Sequence, residues 1–211
     1  RRRLGAAALD LDAAADGSFS AQWRATVATR LPHRHWPERR VLLTAIDAQG
    51  QSYIAEDGPS SATLTNPGRP GYRNANLWRT VDGPTAMHAP DSTLQHQGVM
   101  PPAGGTVMRV IDFPPRPSDP EEQRRQHEAV FKSMYSDARH QPDSKRHPGM
   151  HETDSVDYAI VLSGEIVAIM DKDETVMHAG DILVQRGTNH AWENRTDEIA
   201  RLVFVLIDAR G

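Results

Sequence analysis

The sequence predicts an all-β barrel or sandwich carrying one helix. From residue 151 onward, short apolar runs alternate with glycine-bearing turns at close, even spacing. Upstream, a single segment near residues 118–135 combines helical periodicity with a start signal. A length of 211 residues, 38% apolar and 25% charged with 15 Gly and 15 Pro, describes a loop-rich globular chain able to bury a full core. No apolar run approaches the roughly 18 residues of a membrane span, so no membrane partner is expected. The absence of cysteine excludes disulfide scaffolds, thiolate metal sites and a cysteine nucleophile. Residues 1–40 carry 8 Lys/Arg against 4 Asp/Glu, and the remainder 16 against 24. The body is therefore acidic, and no nucleic-acid partner is expected.

The elements follow in order. Residues 1–39, opening Arg1-Arg2-Arg3 without an initiator Met, read as an N-terminal extension, solvated or helical, with no signal-peptide apolar core. Residues 40–56 read as a hairpin turning at Asp47-Ala48-Gln49-Gly50. Residues 57–74 are punctuated as loop, 76–80 form a short strand, and 82–104 return to loop. Thr106 to Phe113 is a strand ended by Pro114-Pro115. Ser118 with Glu121 makes a capping box for the helix, with Pro120 in its first turn. Residues 136–149 are loop. Strands then follow at 156–162, 166–170, 176–178, 182–185, 191–193 and 201–207. Neither 40–113 nor 151–207 has enough strands to close alone, so both halves are expected in one barrel, making 40–211 a single domain.

Residues 151–207 resemble the cupin superfamily, the double-stranded β-barrel of jelly-roll type. In its first motif, Asp157 takes the acidic place six residues before Gly164, and His151 fits the first histidine; the second histidine place falls on Thr153. In its second motif, Gly180-Asp181, His190 and Asn194 fit, without the usual proline. The branch resembled is that of small, mostly uncharacterised bacterial and fungal cupins. The resemblance implies that His151, Asp157 and His190 hold a divalent metal, Fe, Mn, Ni or Zn, with open coordination positions. Strand alternation puts His151 and Asp157 on one face but about 20 Å apart at ~3.3 Å per residue, so a bend between them is required.

Around that set, Tyr158 or Glu152 would serve as acid or base, Glu152 needing a one-residue bulge to turn inward. Arg186 would hold a substrate carboxylate or phenolate in a bidentate fork. Trp192 reads as core packing and Asn194 as a turn residue. His33, His35, His88, His96, His127 and His140 read as solvated; His147 sits in a Pro-Gly loop, and His178 lies on a strand near the second motif. No Gly-x-Ser-x-Gly, Ser-x-x-Lys or phosphate-cradling glycine loop is present. The resulting expectation is a cytoplasmic, homodimeric, metal-dependent enzyme acting on a small oxygenated organic substrate by Lewis-acid or dioxygen chemistry. Two alternatives stand beside it: a non-catalytic small-molecule binder, and a metal-free lyase or isomerase using His151 or His190 as base.

Overall fold

The computed structural model describes residues 40–210. The expected extension at 1–39, with His33 and His35, lies outside them. Three antiparallel sheets are formed. A hairpin pairs β1 (Arg40–Ile46) with β2 (Ser52–Pro59). A six-stranded sheet runs in the order β11 (Ile182–Arg186), β8 (Ser155–Ser163), β13 (Ala200–Asp208), β5 (Thr106–Phe113), β4 (Arg73–Thr80), β3 (Ala62–Thr65). A five-stranded sheet runs β10 (Glu174–His178), β9 (Glu165–Met170), β12 (His190–Glu193), β7 (His151–Glu152), β6 (Arg139–His140). The two larger sheets enclose the core.

Strand alternation builds that core. Ala159 and Val161 of β8, Val107 and Ile111 of β5, and Leu202 and Leu206 of β13 all turn inward from the six-stranded sheet. Ile166 and Ala168 of β9 and Trp192 of β12 meet them from the five-stranded sheet. The turn between β8 and β9 rests on Gly164 at φ +76°, where an added Cβ would lie 2.9 Å from the Cα of Ala200. The helix α1 (Pro120–Met134) packs Val130 and Phe131 into the same core. Among the described residues, no helix is long and apolar enough to cross a membrane.

Several expectations change. The cap of α1 is Asp119 rather than Ser118: its side chain accepts from the Glu121 amide, satisfying one of the free N–H groups of the first turn. Residues 57–74 contain β3, and 136–149 contain the short β6. The stretch 151–163 is not one strand. It breaks at Thr153-Asp154, so that β7 and β8 belong to different sheets. Strands β3 to β5 join β8 and β13 in one sheet. The β1–β2 hairpin is the exception, since both its strands pair only with each other. Its apolar side chains Leu42, Ile46, Tyr53 and Ile54 remain exposed, so no buried face fixes it to a sheet.

Candidate functional site

Strand register builds one wall of the site. His151 pairs with His190 on one side and with His140 on the other, setting three histidines in a row across β12, β7 and β6. The rings of His151 and His190 lie 4.3 Å apart between centroids. His151 donates through Nδ1 to the Gly149 carbonyl at 2.9 Å, and His190 through Nδ1 to the Thr188 carbonyl at 2.9 Å. Each bond fixes the Nδ1–H tautomer and leaves Nε2 as the lone-pair nitrogen. His190 has no second ring partner among the described residues, whereas the His151 ring also meets the His190 backbone. Burial pushes the His190 pKa down to about 4. It lowers His151 well below the usual histidine range, and the adjacent His190 ring adds to the effect. Both imidazoles are neutral at pH 7.

Asp157 forms part of the facing wall, on β8 in the other sheet. It is 4% exposed and its Oδ1 has no hydrogen-bond partner. Burial raises its pKa to about 6, against the opposing pull of Ser155 and Arg109. Arg109 of β5 is 1% exposed; its Nη2 donates to the Val99 carbonyl at 2.9 Å and lies 3.0 Å from His96 Nε2. Its Nε and Nη1 have no partner. Arg69, from the loop before β4, lies over the Tyr72 ring at 4.7 Å, and burial lowers its pKa. The hydroxyls of Tyr72 and Tyr135 are hydrogen-bonded at 3.0 Å. These groups, with Phe113, Phe131, Trp192 and Phe204, line a cavity of about 60 Å³.

The expected site residues divide into two groups. His151, Asp157 and His190 all face this cavity. The two histidines adjoin, but no three His, Asp or Glu side chains among the described residues are grouped to hold an ion. The cause is the break at Thr153-Asp154, which carries Asp157 onto the opposite sheet, while Thr153 supplies a hydroxyl where a second imidazole would stand. The present donors therefore fit two positions of a metal and not the three-residue set implied by the resemblance.

Tyr158, Glu152 and Arg186 do not line the cavity. Tyr158 alternates with Asp157 and so faces outward, 43% exposed. Arg186 is exposed at the end of β11. Glu152 binds Arg139 at 3.2 Å beside the Arg139–Asp154 pair, with no bulge to turn it inward. His178 is exposed against Glu165.

Trp192 is both core and cavity wall. Asn194 is a turn residue, donating to the Phe113 and Glu198 carbonyls and accepting from Thr196. His96 and His127, expected in solvent, are buried, and His140 stacks on Phe131 at 3.8 Å. His147 is buried 3.5 Å from Glu193. Arg69, Arg109 and His127 are cavity residues that the motifs do not mark. Arg109 had a signal in the strand pattern: it shares the inward face of β5 with Val107, Ile111 and Phe113. Arg69 sits in a loop and had none.

Two facing antiparallel sheets with an aromatic, histidine-bearing cavity between them define a β-barrel protein. Residues 138–206 match the family model described as "Cupin domain", and the chain carries a cupin domain with the all-β fold that goes with it. It is similar to the phomopsin biosynthesis cluster protein C' of Diaporthe leptostromiformis, 48% identical over 63 residues, 29% of this chain and 33% of that protein. It is similar to the cupin-domain-containing oxidoreductase virC of Hypocrea virens, 28% identical over 141 residues, 64% of this chain and 58% of that one. The chain thus matches a third of the first relative's length and little over half of the second's. A Cupin 2 conserved barrel domain protein from Salinispora arenicola superposes with a TM-score of 0.39 at 16% identity, over 74% of this chain and 92% of that one.

Proposed function

We propose that the chain is a biosynthetic cupin enzyme that takes a proton from a small oxygenated organic substrate with a neutral imidazole. The observation that carries this reading is the pair of Nδ1-anchored rings, His151 and His190, on one wall of the cavity, with His190 Nε2 free of a protein partner among the described residues. An anchored neutral imidazole is a base whose lone pair is already aimed. His190 Nε2 takes the proton from a C–H beside a carbonyl; the C–H electron pair becomes the enolate C=C bond and the C=O π pair moves onto the oxygen. Asp157, across the cavity with a pKa of about 6, exchanges a proton near neutrality and can return one to the substrate.

The test uses a panel of phenolic ketones and β-dicarbonyls incubated with the chain in D2O, with deuterium gain read by mass spectrometry. Wild type should accelerate exchange for some members, and His190→Gln should lower that rate by about a hundredfold or more. Equal exchange in wild type, His190→Gln and His151→Gln would overturn the reading and leave a non-catalytic binder. The same anchored rings favour a second reading, a divalent ion held by His151 and His190 and otherwise by substrate or water. When bound, such an ion would act as a Lewis acid. Elemental analysis of protein purified without an affinity tag tests it: stoichiometric metal that disappears in both His151→Ala and His190→Ala supports the ion, and metal-free wild type removes it.

A further inference from the structure

Taking the cavity as a substrate site, as proposed above, we infer that Arg69 and Arg109 make it a receptor for an aromatic carboxylate. The charge pattern of the molecule carries this. Arg116, Arg139, Arg195 and Arg201 each meet a carboxylate within 3.2 Å. Among the described residues, the two cavity arginines meet none. Arg109 is 1% exposed with Nε and Nη1 unpartnered, and Arg69 is 7% exposed over the Tyr72 ring.

A buried guanidinium without an anion is costly, so both positions are electrostatically incomplete. The one carboxylate facing them, Asp157, also has an unpartnered Oδ1, so that oxygen does not complete either cation. The cavity histidines His127, His151 and His190 cannot alter this balance, since burial lowers the pKa of all three and keeps them neutral. The cavity therefore presents two cations against one anion, inside walls of Phe113, Phe131, Trp192 and Phe204.

A flat ring suits such walls, and a carboxylate suits the guanidinium fork. The Tyr72–Tyr135 hydroxyl pair adds one donor beside the arginines, its other proton being shared between the two rings; burial raises the Tyr72 pKa well above its ordinary value and keeps it protonated. The free Oδ1 of Asp157 is an acceptor for a hydroxyl on the same ring. The substrate class is thus a hydroxylated aromatic acid, bound through its carboxylate.

Calorimetric titration of the full chain tests this with 2-hydroxybenzoate and its neutral analogue of matching size, 2-hydroxybenzamide. The acid should bind about tenfold or more tightly than the amide, as expected of a charge-assisted fork. Arg69→Met and Arg109→Met should each remove most of that preference, with affinity for the amide little changed. Arg69→Lys should retain part of it. Circular dichroism checks each variant; if Arg109→Met does not fold, Arg69→Met decides.

Equal affinity for acid and amide, no binding of the acid at millimolar concentration, or a full preference in Arg69→Met overturns the inference. Binding is read here without turnover. Loss of deuterium exchange with an arginine-dependent preference intact would remove the proton-transfer reading and leave this one.

Discussion

Asp157 sits where a carboxylate is costly to ionise, and its environment favours the neutral acid. Its folded pKa of about 6 lies above the usual carboxylate value. The stabilisation from protonated Asp157 is therefore complete below about pH 4 and lost as pH rises through 6. Asp157→Asn, which mimics the neutral acid, should stabilise the fold at pH 8 by about 1–3 kcal/mol and change little at pH 4. Denaturant melts at the two pH values check this; equal shifts at both would contradict it. Asn194 works in the opposite sense. It is 1% exposed, with both ends of its amide engaged. Asn194→Ala should cost about 2–3 kcal/mol by leaving the Phe113 carbonyl and the Thr196 amide unmet, read as a lower denaturation midpoint at unchanged slope.

Among the elements, β7 and β8 show how a two-residue break decides the site. Alternation alone puts His151, Thr153 and Asp157 on one face of a continuous strand. The step at Thr153-Asp154 instead sends His151 to one sheet and Asp157 to the other, turning an expected ligand set into two facing walls. The barrel strands after 151 were legible because period-two alternation and glycine turns are local signals, whereas His190 was singled out by its fit to the second cupin motif. The cross-strand row of His140, His151 and His190 was not, because register between distant strands leaves no local trace. The helix start was misplaced by one residue because Ser118 and Asp119 both have side chains able to cap. Asp119→Ala should destabilise the protein by about 1 kcal/mol, whereas Ser118→Ala should be near neutral, as paired thermal melts would show.

For the molecule as a whole, the buried histidines govern acid stability. Burial lowers the pKa of His96 and His190 to about 4 and that of His127 and His151 well below the ordinary value. Unfolding frees them to titrate near ~6.5, so the unfolded chain binds more protons between these limits. Their contribution is present above pH 6.5 and lost as pH falls toward 4. Unfolding measured at pH 5 should take up about two to four protons, and a pH-independent stability over this range would refute it. The hairpin β1–β2 lies apart from this linkage. It pairs with neither large sheet, and a lone two-stranded ribbon has little stability of its own. In native-state amide exchange, the N–H groups of Arg40–Ile46 and Ser52–Pro59 should therefore pick up deuterium through local opening. That should occur well before β8 and β13, whose exchange waits on global unfolding. The hairpin should then open and close many times while the sheets that line the cavity stay folded.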